Sequence, residues 1–220
     1  MKIVIQCAAT KNPTRPGAGL RTVDHRLVRF VASPRLAQEN DLVQDVHPDD
    51  HFDEHHTWRQ HLVDYNATQA ATNSLELLPA FQLYRHRAYA GLVDRFGVEN
   101  LFILSAGWGL ISAGFLTPDY DITFSKAPNV APQCRRTRAQ PFADLCHLPD
   151  DGVPIAFLGG KDYLPLFYQL THPLRATKKV FFNSATAPVL GHGFHTERYR
   201  TSQKTNWHYT CAQELIVGSL

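Results

Sequence analysis

The sequence predicts an α/β fold, a single domain whose mostly parallel sheet of roughly four strands is flanked by helices. Three observations carry that prediction. Short, continuously apolar or β-branched runs recur at residues 3–6, 101–104, 155–158 and 180–182, a pattern expected of strands buried on both faces. Helical patterns lie between them, at 58–71, 80–96, 134–145 and 163–170, and strand–helix alternation winds a parallel sheet. Small and polar residues follow each strand, where open α/β sheets place their ligands.

The first strand lies in Met1-Lys2-Ile3-Val4-Ile5-Gln6-Cys7. It is too short for a signal peptide, and no apolar run reaches the length of a membrane helix, so a cytoplasmic protein with no membrane partner is expected. Residues 39–56 read as an acidic loop, with Glu39, Asp41, Asp45, Asp49, Asp50, Asp53 and Glu54 and no Lys or Arg over 39–54. Its histidines invite a metal site, but His55 and His56 are adjacent and splay apart, and the spacing matches no common metal pattern. No metal and no cofactor are assigned. Trp58, Leu62 and Tyr65 mark the next helix. Leu83, Ala90 and Leu92 share one side of the helix after it. The 134–145 helix opens after Pro132 with Arg135, Arg136 and Arg138.

Composition sets the class. A chain of 220 residues, 44% apolar and 19% charged, buries an ordinary core without disulfides or structural metal. Cys7, Cys134, Cys146 and Cys211 are scattered, with no Cys-x-x-Cys pair, so free thiols are expected. Net charge is only +2, but its distribution is uneven. Arg135, Arg136 and Arg138 cluster, and the segment 198–209 carries Arg198, Arg200 and Lys204 among Tyr199, Trp207, His208 and Tyr209. Basic residues beside aromatics suit phosphate contacts and base stacking; the same clusters also fit an ordinary solvated face.

The residues after the strands are the candidate site. They are Cys7 to Lys11, Ser105 to Gly109 with Asp119 and Asp121, Gly159 to Tyr163, and Asn183 with Ser184. Gly107 and Gly109 let the backbone turn sharply beside a ligand or simply serve a tight turn. Gly159-Gly160-Lys161 lacks the upstream glycine and following Ser or Thr of a phosphate-binding loop. Ser105 lacks the glycine that precedes a nucleophile elbow.

Ile5-Gln6-Cys7-Ala8-Ala9-Thr10-Lys11, Ile103-Leu104-Ser105-Ala106-Gly107-Trp108-Gly109-Leu110 with Pro118-Asp119-Tyr120-Asp121, and Leu158-Gly159-Gly160-Lys161-Asp162-Tyr163 together resemble a group of bacterial proteins related to the YaaA peroxide-stress family. The motifs span most of the chain, and the middle one is the most specific. The resemblance implies DNA binding. Its wider circle implies an anti-phage DNA glycosylase, which strips modified bases such as glucosylated hydroxymethylcytosine. The helix-hairpin-helix element of YaaA proteins has no clear counterpart here.

Glycosylase chemistry suits these residues. Cleaving an N-glycosidic bond makes an oxocarbenium-like sugar that a carboxylate stabilises while orienting water. Asp121 is the first choice for that role and Asp119 the second. Lys11, Lys161 or Asn183 would bond the departing base or the sugar-phosphate. Cys7, Ser105, Gly107, Gly160 and Asp162 would line the pocket, with Trp108 or Tyr163 stacking on a flipped base. Double-stranded DNA would be gripped by Arg135, Arg136 and Arg138 on one side, and by Arg198, Arg200, Lys204, Trp207 and His208 on the other. Two alternatives stay open: an N-glycosidase or base transferase acting on free nucleotides, and a DNA-binding stress protein without catalysis.

Overall fold

The computed structural model describes all 220 residues. In chain order its first half holds β1 (Lys2–Gln6), β2 (Leu27–Val31), β3 (Val43–Val46), α1 (Trp58–Thr68), β4 (Leu78–Pro79), α2 (Ala80–Leu83) and α3 (Arg87–Phe96). The middle supplies β5 (Leu101–Ser105), β6 (Gly109–Ser112), β7 (Leu116–Thr117), β8 (Tyr120–Asp121) and β9 (Leu145–Cys146). The last third adds β10 (Ile155–Leu158), α4 (Leu164–Thr171), β11 (Lys178–Phe182), β12 (Phe194–Arg198) and α5 (Trp207–Val217).

The main sheet has seven strands in the order β12-β11-β10-β1-β5-β6-β9. β12 through β5 run parallel, and β6 returns antiparallel to β5. The four expected strands are all present and sit side by side as β11, β10, β1 and β5, so the α/β class holds and the strand count is corrected upward. The three additional strands escaped notice for a common reason: each lies outside the continuously apolar pattern. β12 is mostly exposed and polar, β9 has two residues, and β6 is the return arm of a hairpin.

Alternation along the central strands covers both faces. Ile3 and Ile5 join a core cluster with Tyr89 and Leu92 of α3 and Cys211 and Leu215 of α5. Val4, between them, joins Leu166 and Phe167 of α4 on the other face. The period of two along a pleated strand sends successive side chains to opposite sides. From β1 the chain goes to β5 on one side, and β10 returns on the other. That reversal puts a topological switch point between β1 and β10, and Gly160 N–H donates across it to Gln6 Oε1 at 2.6 Å.

Other expectations need correction. The acidic loop at 39–56 contains β3, which pairs with β2, and β2 pairs with β8 to complete a second parallel sheet. Its acids neutralise arginines: Arg29 donates to both Asp45 oxygens at 2.5 and 2.7 Å, and Arg59 to Asp49 at 2.5 Å. α1 opens with a capping box between Thr57 and Gln60, which satisfies otherwise orphaned backbone N–H groups. The 80–96 helix is split between α2 and α3. Asn12 N–H donates to Leu83 O at 2.7 Å and Arg85 N–H to Thr10 O at 3.0 Å, so tertiary pairing with the segment after β1 takes the bonds a helix would need. The 134–145 helix does not form; a short 3-10 turn, Pro132–Cys134, leads into irregular chain. There the backbone of Thr123 pairs with Cys134 and Arg136 at 2.9 Å each, and Pro141 lacks the donor a helix interior requires. No helix is long and apolar enough to cross a membrane.

Candidate functional site

The Ser105-to-Gly109 segment is a β-hairpin turn. Ser105 pairs with Gly109 across β5 and β6, and Ser105 Oγ accepts from the N–H groups of Gly107 and Trp108 at 3.2 and 3.1 Å. Gly109 adopts φ +87°, and a Cβ there would meet the Leu145 carbonyl oxygen at 2.5 Å; only glycine fits that conformation and that approach. The turn accounts for Gly109, whereas at Gly107 a Cβ would crowd the Tyr120 ring at 3.0 Å. Trp108 is fully buried. The guanidinium of Arg59 lies 5.4 Å from its ring centroid, with Phe30 edge-on at 4.9 Å and Tyr120 at 6.3 Å. Its ring belongs to the core, which corrects the expectation that it stacks on a base.

Around this turn the fold gathers phenols. Ser105 Oγ donates to the Tyr120 hydroxyl at 2.8 Å, which lies 2.8 Å from that of Tyr84. Cys7, directly after β1, holds its thiol 3.1 Å from the Tyr163 hydroxyl. Tyr89 donates to the Gln6 carbonyl at 2.8 Å and lies 3.4 Å from the Tyr209 hydroxyl. Burial pushes Tyr84, Tyr89, Tyr120 and Tyr163 well above the ordinary phenol value, and the neighbouring charge-bearing groups, Cys7 among them, push the same way. These hydroxyls stay neutral at physiological pH and act as hydrogen-bond donors and acceptors, not as bases.

The carboxylates open beside this network. Asp119 and Asp121 line one cleft of about 180 Å³ with Arg29, Thr14, Tyr120 and Pro118, walled otherwise by apolar side chains. Lys11 Nζ stands 3.3 Å from Asp119, bonds the Tyr120 carbonyl and lies 4.4 Å from the Tyr120 ring centroid. Asp119 also accepts the Tyr120 N–H at 2.7 Å, which fixes the loop that presents both acids. Hydrogen-bonded cations and carboxylates in such a cleft can bind a polar ligand and polarise water.

The remaining expected residues separate. Asp162 lines a larger cleft of about 740 Å³ with Arg136, Arg138, His47, Asp49 and Phe142. Burial raises the Asp49 carboxyl, but the hydrogen bond and charge of Arg59 outweigh it and leave it low, while burial keeps His47 low and neutral. Lys161 is exposed. Asn183 is half-buried and donates to the Gln203 carbonyl at 3.1 Å. Gly160 commits its N–H to Gln6. No three His, Cys, Asp or Glu side chains converge as metal ligands.

The expected DNA contacts divide as well. Arg136 is buried, bonded to Asp144 and to the Ala106 carbonyl, and Arg135 bonds the carbonyls of Val130 and Ala127. Trp207 and His208 are buried where α5 begins; burial, with a smaller contribution from His86, pushes His208 down to about 4. These two side chains are core in this fold, which corrects their assignment to a DNA surface. Arg138, Arg198, Arg200 and Lys204 remain exposed. Sequence reading missed Tyr84 and Tyr89, because a tyrosine within an apolar stripe looks like any other core aromatic, and it placed Tyr209 on a base-stacking edge where the fold sets its hydroxyl 3.4 Å from that of Tyr89.

No family model, curated protein or solved structure matches this chain.

Proposed function

We propose that this protein is an N-glycosidic bond hydrolase acting on a modified base in DNA. The supporting observation is the pairing of Asp119 and Asp121 in one small cleft, with Lys11 3.3 Å from Asp119. In this reading Asp121 takes a proton from water as the water oxygen bonds the anomeric carbon. The glycosidic C–N bond breaks, and its electron pair leaves with the base, which takes a proton from the Lys11 ammonium. Asp119 holds Lys11 in place and stabilises the positive charge that develops on the sugar. The apolar wall accommodates the ring of a flipped base, and the resemblance to anti-phage glycosylases supplies the substrate class.

A second reading, hydrolysis or transfer of the base of a free nucleotide, is favoured by the burial of Arg136, Trp207 and His208, which removes part of the expected DNA surface. One experiment separates the two. Purified protein is incubated with unmodified, damaged and phage-modified DNA and with free nucleosides and nucleotides, and released bases are identified by mass. Release from DNA, lost by about 10²–10⁴-fold in Asp121→Asn with DNA affinity retained, supports the glycosylase. Release from free nucleotides alone supports the second reading; release from nothing overturns both.

A further inference from the structure

A cleft of about 600 Å³ lies where the extended residues between α2 and α3 meet the segment after β1. Among the side chains lining it are Arg85, His86, Arg87, Asn12, Phe81 and Tyr84, and no carboxylate is among them. Six of the chain's arginines are neutralised by an acid and the others, among them Arg35, Arg95, Arg138, Arg198 and Arg200, are not; what sets this cleft apart is that two unpaired arginines line it with no acid beside them. Arg85 and Arg87 are exposed, and their side chains make no ion pair or hydrogen bond within the protein. Two unpaired guanidiniums lining one cleft, each able to fork two N–H groups onto an anion, are suited to phosphate.

The surroundings are ordered for that task. Arg85 is held by its backbone N–H bond to Thr10, and Asn12 by its own to Leu83. The His86 ring accepts the Ala88 N–H at 3.2 Å and stacks on Tyr209 at 3.7 Å, which fixes the residue between the two arginines. Tyr84 lines the cleft and also reaches Tyr120 at 2.8 Å, so the cleft adjoins the phenol network and, through Tyr120, the loop that carries Asp119 and Asp121.

We infer that Arg85 and Arg87 bind phosphate in this cleft, and that the phosphate is part of the backbone of a nucleic acid strand whose target nucleotide enters the neighbouring site. The phosphate site rests on the cleft alone; its assignment to DNA rests on the function proposed above.

The test measures anisotropy of a fluorescein-labelled 20-base-pair duplex and of a fluorescent ATP analogue over a salt series, with wild type, R85A/R87A, R85K/R87K and the control pair R35A/K126A. R85A/R87A is expected to weaken duplex binding about tenfold or more and to flatten the log–log salt slope by about 0.9, the value for one phosphate no longer neutralised. R85K/R87K should recover most of the slope, and R35A/K126A should match wild type. If the wild type binds the ATP analogue but not the duplex, and R85A/R87A abolishes that binding, the phosphate site stands with a free nucleotide as its source, and the DNA reading falls. Binding of both probes unchanged in R85A/R87A, or reduced equally in the control pair, overturns the site.

Discussion

Arg136 and Asp144 have side chains only 7% and 3% exposed, whereas Lys11 and Asp119 stand at 12% and 60%. Both are cation–carboxylate pairs, and from sequence Arg136, Lys11 and Asp119 are all credible ligand-binding groups. Arg136 lies over the Phe142 ring at 3.8 Å and over Phe124 at 5.2 Å, donates to both Asp144 oxygens, and ties down the hairpin turn through the Ala106 carbonyl. Its charge is consumed by the fold. Asp119 keeps oxygen surface in water beside a cleft that Asp121 shares, so that pair can exchange partners for a ligand. Exposure, not residue type, separates the pair locked into the fold from the pair left open to a ligand.

The largest expected effect tests the closed side. Asp144→Ala leaves the Arg136 guanidinium buried without its counter-charge, and breaking such a pair costs about 3–5 kcal/mol. Denaturant unfolding measures it, and a loss below about 1 kcal/mol would show that Arg136 finds water and that the two pairs do not differ as described.

Next comes pH. His208 is 2% exposed and held neutral down to about 4, against 6.5 for an ordinary histidine. The unfolded chain therefore binds the extra proton first. The stabilising contribution is complete above pH 6.5, declines as pH falls from 6.5 toward 4, and amounts to about 3 kcal/mol over that window. Unfolding free energies measured across it should fall with acidification, and His208→Gln should flatten the curve; identical curves for the two proteins would place His208 in contact with solvent.

A smaller effect probes the junction between the two regions. Tyr120→Phe removes the hydroxyl that joins Ser105 and Tyr84 and should cost about 1–2 kcal/mol, read as a lowered denaturation midpoint with unchanged slope. The smallest change is expected on the open side. Asp121 is exposed, so Asp121→Asn should alter stability by no more than about 0.5 kcal/mol while abolishing base release. Unfolding of that variant well beyond this range would make Asp121 a structural residue.

The contrast between regions also explains what could be read in advance. β1, β5, β10 and β11 were legible because continuous apolar runs have few other places to go in a chain this size. The stretch 134–145 was misread because Arg135, Arg136 and Cys134 carry side chains that a helix tolerates, while the bonds that decide its path run to the backbone of Thr123, outside the stretch, and across it from Arg136 to Asp144, at a spacing no helix supplies. Asp119, Asp121 and Lys11 were legible as a constellation, since short spacing after a strand returns residues to one edge. Tyr84 and Tyr89 were not, since nothing local distinguishes a phenol that meets Gln6 or Tyr120 from one that only packs.

By itself the sequence determined the class of fold and the strands at the centre of its sheet. Those follow from local hydrophobicity. Only the tertiary structure decided which of the charges remain available. It buried Arg136, Trp108 and His208, left Asp119, Asp121, Arg85 and Arg87 open, and set Tyr120 between them, because burial and ion pairing depend on partners distant in sequence.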